Sequence, residues 1–443
     1  MISLTFKMKK IVLLLFIHFF IFSAAQKYNP VDTVYTVLQQ KQIKDFVAEK
    51  SANMSLLNFT SLKLSNKKIV KNFLSERRKI FDEMIKQNTL FIDEESERYI
   101  QNLLNEIIIK NNLDVPSTKV FLSRETQPNA ISLGSGIFIV NISMFCKINS
   151  DDEITFILSH ELAHQILKHL EKSLVRNDNL QNSELYKVNL KTTKKKSQTV
   201  GIGAILEFLQ HYQYDDKKNS RSQEIQADSL GFSYFKTLAR DRSNAIESVK
   251  KLDSINPIEL IKLEEDHYRK FFSTPNQKFN EDWLELYGNG DYNYSKSKQN
   301  ALGFDADSLR THPEIIERIR LLKDKSDISL QKKTSQENKH FLNFKNKMIK
   351  ETLYAHYVLK EYGRGLYFTL QMEQKYPNDE FVIIMRGLFL EKLYQARKDH
   401  TYKRFVDDVD YNHQTKSYYQ FLAILDHLSV SELQKLSSYY INN

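Results

Sequence analysis

The spacing of apolar residues changes between residues 111 and 141, and that change predicts the fold class. Up to about Lys110, apolar residues recur every three or four positions, which is typical of amphipathic helices. Two short apolar runs follow, at 119–122 and 137–140, with a Gly-Ser-Gly break before the second, as expected for strands. The whole chain has only 11 glycines and 7 prolines, which favours helices elsewhere. We therefore predict a mostly helical α+β fold with a small sheet of two short strands.

The first 25 residues have the charge and hydropathy order of an export signal. Lysines at positions 7, 9 and 10 precede an apolar run at 11–22, and small residues ending in Ala25 follow it. The run is shorter than the roughly 20 residues that a spanning helix needs, which disfavours the alternative of an uncleaved anchor. We predict a cleaved signal peptide at 1–25, with the start at Met1 or Met8. The exported protein would be periplasmic or secreted, with no need for membrane association.

The positive charge of the chain does not indicate a nucleic-acid partner. The formal net charge is +9, and its densest run is Lys194–Lys196. That run has neither interleaved aromatic residues nor a recognition motif, so a solvated loop is the better interpretation. Cys146 is the only cysteine, which excludes an internal disulfide and leaves stability to core packing. We predict no nucleic-acid binding.

A His-Glu-Leu-Ala-His sequence lies in the middle of a helix that we predict to run from Ser150 to about Leu170. A capping-box pattern marks its start. His160 and His164 lie one turn apart on the same helix face, where both imidazoles can bind one metal ion. Glu161 lies beside them and is free to act as a base. This spacing therefore predicts a metal site on a largely apolar helix.

A second helical segment supplies the ligand that this site still lacks. A catalytic zinc site usually has three protein ligands and one open position for water. Glu224 and Asp228 lie one turn apart on the same face of a helix that we predict to start near Ser220. We predict that Glu224 is the third ligand of one zinc ion per chain, and that Asp228 orients a ligand imidazole through its second nitrogen.

Four motifs follow one another between residues 129 and 319. They are Asn129-Ala130 ahead of Gly134-Ser135-Gly136-Ile137, His160-Glu161-Leu162-Ala163-His164, Ser220-Arg221-x-x-Glu224-x-x-Ala227-Asp228, and Thr311-His312-Pro313 before a helix with Arg318 and Ile319. In this order they resemble metallopeptidase family 48, which includes the CAAX prenyl endopeptidases, HtpX and the periplasmic BepA-type proteases. Without further spanning segments, the chain looks most similar to the soluble periplasmic BepA-like members.

The resemblance implies a zinc metallopeptidase domain of the gluzincin type at 90–325. It implies that Glu161 accepts a proton from the attacking water and passes it to the leaving amine. His312 matches the family's third histidine, which implies either stabilisation of the oxyanion or a latent fourth ligand on zinc. We interpret the strand 137–140 as a candidate edge for extended substrate, with an ordinary core strand as an equal and compatible interpretation. The residues that we place in a substrate groove are Asn129, Gly136 and Ile137.

The chain on either side of this domain is predicted to be helical. Residues 26–89 form a helical lead-in, and 340–443 form helical hairpins that resemble a tetratricopeptide unit, with plain helical packing as an equal alternative. We place one turn at Gly363-Arg364-Gly365 and another at Pro377-Asn378-Asp379. If the hairpins form a recognition surface for an envelope protein, deletion from His340 should spare the cleavage of short peptides.

The function predicted from these features is zinc-dependent hydrolysis of peptide bonds in misfolded or envelope proteins. Two alternatives come from other classes. The first is an envelope chaperone or scaffold with latent or minor proteolysis, which the intact set of predicted ligands disfavours. The second is an exported hydrolase that acts on a non-peptide substrate, which the order of the four motifs disfavours.

Overall fold

The computed structural model of this protein describes seven segments of the chain. They are 28–57, 67–181, 217–252, 260–285, 315–326, 338–410 and 414–442. The predicted signal peptide, the Lys194–Lys196 run and His312 fall outside them. Among the described residues, no helix combines the length and the apolar character that crossing a bilayer requires.

Most of the described chain is helical, which confirms the predicted fold class. The helices up to residue 181 are α1 Val37–Leu57, α2 Lys67–Lys86, α3 Glu94–Lys110, α4 Met144–Lys147, α5 Asp151–Ile166 and α6 His169–Gln181. Those that follow are α7 Lys217–Phe235, α8 Ser243–Leu252, α9 Glu265–Phe271, α10 Ile315–Ser326, α11 Lys339–Val358, α12 Tyr362–Lys375, α13 Glu380–Lys398, α14 Lys416–His427 and α15 Val430–Asn442. Short 3₁₀ turns lie at Glu281–Leu284 and Tyr402–Arg404.

Four short strands form one mixed sheet. They are β1 Leu90–Phe91, β2 Lys119–Ser123, β3 Ala130–Ser132 and β4 Ile137–Asn141. Their order is β1-β2-β4-β3, with β2 and β4 parallel and each outer strand antiparallel to its neighbour. The two predicted strands are β2 and β4, at the centre of the sheet. The prediction of only two strands is wrong, because β1 and β3 are too short to show an alternating pattern.

The sheet separates two apolar clusters, because alternate residues of its central strands face opposite sides. Phe121 and Ile139 lie in a cluster with residues of the lead-in helices α1 and α2. Phe138 and Val140 lie in a cluster with residues of α3, α5, α7 and α11. Helix α5 is thus packed beneath the sheet, which fixes the direction of the side chains that it carries.

Helix α5 begins at the predicted N-cap. Ser150 Oγ accepts the N–H of Glu153 at 3.2 Å and satisfies one of the free donors of the first turn. The predicted capping box is only half formed, because the carboxylate of Glu153 accepts the N–H of Asn149 instead. The N-cap still fixes where the helix begins, and with it the helix face on which the two histidines lie.

The same helix ends at Ile166, earlier than the predicted end near Leu170. Lys168 has a φ of 55°, which breaks the helix and leads into α6. The polar stretch that begins at residue 171 is helical over 171–181, as part of α6. The rest of that stretch, up to residue 216, lies outside the described residues.

One of the two turns predicted in the C-terminal region is misplaced. Gly363 and Gly365 lie inside α12, and the break before α12 falls at the preceding residues, where Lys360 has a φ of 61°. Gly365 is required for packing, because a Cβ there would lie 2.3 Å from the ring of Phe389. The second turn lies between α12 and α13 as predicted, and Asp379 caps α13.

Helix α11 belongs to the cores of both halves of the chain. Phe344 and Met348 lie in the cluster that contains α5, whereas Leu353 lies in a cluster formed by the C-terminal helices. A fully buried ion pair, Arg124 with Glu351 at 2.9 Å, also joins α11 to the residue that follows β2. The C-terminal region therefore stabilises the part of the chain that carries α5.

Deletion of the chain from His340 is accordingly expected to abolish the cleavage of short peptides as well as of proteins. The deletion removes α11 from the shared core and leaves Arg124 buried without its carboxylate, a change that costs about 3–5 kcal/mol in comparable cases. Thermal unfolding followed by circular dichroism measures the effect. A truncated chain that unfolds at the wild-type temperature and still cleaves a short peptide would show that the C-terminal region is separable.

Candidate metal centre

Two imidazoles and one carboxylate converge where α5 meets α7. The Nε2 atoms of His160 and His164 lie 3.0 Å apart, and each lies 3.5 Å from an oxygen of Glu224. The three candidate ligand atoms all lie within 4.8 Å of one another. In the part of the chain that the structure describes, this is the one group of three or more such side chains that could hold a metal ion.

Helix α7 approaches α5 closely because Gly231 lies at their contact. A Cβ on Gly231 would lie 2.9 Å from the backbone nitrogen and Cα of His160. Glu224 and Asp228 precede this contact on α7, one turn apart, so both side chains face α5. The glycine thus lets one helix supply the carboxylates and the other the imidazoles.

Asp228 fixes the orientation of His160. Its Oδ1 lies 2.9 Å from His160 Nδ1, which leaves Nε2 directed towards Glu224. Arg318 of α10 donates from Nε to Oδ2 at 2.6 Å and from Nη2 to Oδ1 at 2.7 Å, a two-pronged contact that holds the carboxylate. Burial alone would raise the pKa of Asp228, but the hydrogen bonds from Arg318 and His160 lower it.

His169, the first residue of α6, holds the second imidazole. Its Nδ1 lies 2.9 Å from His164 Nδ1, and its Nε2 lies 3.3 Å from Gln226 Oε1. Sequence reasoning missed this residue, because it follows the break at Lys168, where helical spacing no longer applies. The one signal available was a third histidine shortly after the His-Glu-Leu-Ala-His sequence.

The surroundings of the histidines set their protonation. Burial lowers the pKa of His164 to about 3 and that of His169 to about 4. Burial also opposes charge on His160, but its hydrogen bonds to Asp228 and Glu224 raise its pKa to about 10. A metal ion binds only the unprotonated nitrogen, so metal binding competes with protonation of His160 and weakens as the pH falls.

This set of donors fits a zinc ion. Two imidazole nitrogens and one carboxylate form a common protein ligand set of catalytic zinc sites, which leave one position for water. Both histidines have their Nδ1 atoms engaged by neighbours, so that both Nε2 atoms face a common point. His160, His164 and Glu224 are therefore the residues that would hold the ion.

The carboxylate of Glu161 reaches the sheet from the same helix. Its Oε2 accepts the N–H of Ser132 in β3 at 2.9 Å. Burial raises the pKa of Glu161 to about 7, against the opposing effect of the charge on His160. A carboxyl group that titrates near neutral pH can take a proton from water and return it.

The residues predicted to line a substrate groove lie in or beside β3 and β4. Ile137 is 0% exposed and belongs to β4, which lies between β2 and β3. The interpretation of 137–140 as a substrate edge is therefore wrong, because both sides of β4 are paired, and the strand is an ordinary core strand. Asn129 immediately precedes β3, and the Gly136 N–H donates to Gln165 Oε1 of α5 at 2.8 Å. Among the strands that the structure describes, β3 is the edge strand that contacts α5.

Asp228→Asn is expected to weaken zinc binding about 10- to 100-fold. The amide keeps the size of the side chain but removes the charge that faces His160 and Arg318. Competition against a zinc-binding dye measures the Kd. Asp282→Asn changes an exposed aspartate and serves as the matched control. An unchanged Kd in Asp228→Asn would mean that the orientation of His160 does not depend on this carboxylate.

Comparison with known protein families agrees with this geometry. A family model described as peptidase family M48 matches residues 94–326, more than half of the chain, which confirms the resemblance drawn from the motifs. The matched segment contains α5, α7 and α10, and so all the residues of the metal cluster and their described partners. No curated protein matches the chain. The family is one of zinc metallopeptidases, hydrolases that act on peptide bonds. The chain therefore belongs to peptidase family M48.

Proposed function

We propose that this protein is an endopeptidase that uses one zinc ion to hydrolyse peptide bonds within extended protein segments. The observation that carries the proposal is the position of Glu161. Its carboxylate contacts β3, and it lies on the helix that carries His160 and His164. For water to attack a peptide bond, a base must lie close to both the metal ion and the bound peptide. Glu161 meets both conditions, because it lies beside the metal cluster and beside the strand edge on which a peptide could pair.

Each described residue of the site has a part in that reaction. When bound, zinc would polarise the attacking water and the scissile carbonyl group. Glu161 accepts the proton of the water and passes it to the leaving amine, and a pKa near 7 suits both transfers. The N–H of Ser132 keeps the Glu161 carboxylate in place. Asp228 and His169 keep the two ligand imidazoles in place.

We propose β3 as the edge that binds the substrate. Its pairing with β4 engages the backbone of Asn129, Ile131 and Leu133. Because the direction of backbone groups alternates along a strand, those of Ala130 and Ser132 face the other side, where Ser132 contacts Glu161. The N–H groups of Ala130 and Ser132 already donate to Asn129 Oδ1 and Glu161 Oε2, so we propose that an extended peptide pairs there through the carbonyl oxygens of these two residues, next to the base. Recognition of this kind uses the peptide backbone, so it favours misfolded or unfolded segments over particular side chains.

We further propose that the protein acts in the bacterial envelope. The support is the order of charged, apolar and small residues in the first 25 positions. The partners that we propose are protein or peptide substrates, together with an envelope protein that contacts the helices from α11 to α15. The packing of α11 into both cores would transmit such a contact to the region of α5.

His312 is proposed to act at the same site, either by donating a hydrogen bond to the oxyanion or as a latent fourth ligand. It lies outside the described residues. The support is its place in the sequence, six residues before Arg318, and its match to the family's third histidine.

Degradation of unfolded casein tests the proposed function. Zinc-loaded protein is expected to cut casein at internal bonds, a chelator should stop the reaction, and added zinc should restore it. A protein that prevents the aggregation of a denatured client but cuts no bond when loaded with zinc would support the chaperone alternative instead.

A further inference from the structure

We propose that Arg77 positions the substrate-binding edge, and that the lead-in helices therefore complete the catalytic cleft. Arg77 lies on α2, outside residues 94–326 that match the peptidase family. The inference rests on the proposed role of β3. Arg77 is a positioning residue, because it acts through the turn that follows β3 and contacts neither the metal cluster nor Glu161 in any described hydrogen bond.

The guanidinium of Arg77 bridges the lead-in helices and the end of β3. Its Nη1 donates to the carbonyl oxygen of Leu133 at 2.9 Å and to that of Gly134 at 3.4 Å. Its Nη2 donates to Ser51 Oγ of α1 at 3.0 Å, and Ser51 in turn donates to the carbonyl of Val47. One side chain thus ties both lead-in helices to the residues that follow Ser132.

Arg77 is 1% exposed, so its contacts form away from water. Hydrogen bonds from a charged donor in such surroundings are stronger than those between neutral groups. Burial lowers the pKa of Arg77 to about 10, which leaves the guanidinium charged at neutral pH. A buried cation directed at two carbonyl groups restricts where those groups can lie.

The turn that Arg77 holds has an unusual backbone. Gly134, Ser135 and Gly136 have φ values of 74°, 55° and 86°. These values lie in the left-handed region, which residues other than glycine rarely adopt. Arg77 holds the start of this turn, and the Gly136 N–H bond to Gln165 of α5 holds its end. Such a conformation persists only where the surroundings fix it.

The position of this turn sets the position of the proposed edge relative to the base. Leu133 directly follows Ser132, whose N–H contacts the carboxylate of Glu161. A shift at Leu133 therefore moves the strand on which a substrate would pair. A substrate misplaced by about 1 Å relative to the catalytic groups can react about 100-fold more slowly. Arg77 can therefore have a measurable effect on the rate, although it lies away from the reacting atoms.

Arg77→Met tests the inference with two fluorogenic peptides, one short and one long, that share the same cleavable core. The measured quantity is the ratio of kcat/KM for the long peptide to kcat/KM for the short one. In Arg77→Met this ratio is expected to fall about tenfold or more, because pairing of the long peptide along β3 is impaired. A general loss of folded protein would lower both rates equally and leave this ratio unchanged. Backbone hydrogen exchange at residues 132–136 is expected to rise about tenfold or more in the same variant.

Three further variants complete the test. Arg77→Lys keeps the positive charge but carries its N–H donors on a single nitrogen. This variant should fold and show a smaller loss of the same ratio. Ser51→Ala removes the contact to α1 and should therefore show a smaller loss of the same ratio. Arg78→Met changes the exposed neighbouring arginine and should retain the wild-type ratio.

A wild-type ratio and wild-type hydrogen exchange in both Arg77 variants would overturn the inference. If the wild-type protein cuts neither peptide, the proposed function fails. Hydrogen exchange then still decides whether Arg77 holds the turn, with unchanged exchange as the contrary result.

Discussion

Glu161→Gln is expected to lower kcat about 10²- to 10⁴-fold while zinc stays bound. The amide cannot accept a proton from the attacking water, and His160, His164 and Glu224 are unchanged. Its oxygen can still accept the N–H of Ser132, so the local fold should be preserved. This variant therefore separates the loss of the base from the loss of the metal.

Turnover of unfolded casein and zinc content are measured on the same preparation. The matched control is Glu247→Gln, which changes a partly exposed carboxylate of α8 that pairs with Lys250. Turnover near the wild-type rate in zinc-loaded Glu161→Gln would assign the proton transfer to another group.

Loss of a ligand is expected to remove both the metal and the activity. His164→Ala and Glu224→Ala each leave two of the three ligands, so zinc content after dialysis should fall well below one ion per chain. Added zinc should no longer raise the Tm, because an ion stabilises a fold only to the extent that the folded state binds it. Elemental analysis and thermal unfolding measure the two effects.

The control for these variants is His340→Ala, which removes an exposed imidazole at the start of α11. It should keep the zinc content of the wild-type protein. Stoichiometric zinc in both His164→Ala and Glu224→Ala would contradict the proposed set of ligands.

The parts of the site that the sequence predicted depend on local geometry. A spacing of four residues places His160 beside His164 on one helix, and Glu224 beside Asp228 on another. The structure brings these two pairs together across the contact at Gly231. The fold class was predictable for the same reason, since the period of apolar residues reflects the local geometry of helices and strands.

The parts that the sequence did not predict depend on contacts between distant segments. His169 reaches His164 only because the chain breaks at Lys168. Arg318 was part of a recognised motif, but its contact with Asp228 joins residues 90 positions apart. We took β4 for the edge strand because β3 has too few residues to show an alternating pattern. The order of strands in a sheet also cannot be read from the sequence of any single strand.

Diffraction from zinc-loaded crystals on both sides of the zinc absorption edge would locate the ion itself. We expect one anomalous peak per chain, about 2.0–2.2 Å from the Nε2 atoms of His160 and His164 and from a carboxylate oxygen of Glu224. A peak held by other residues, or no peak in protein that cleaves casein, would contradict the assignment of this cluster as the catalytic metal site.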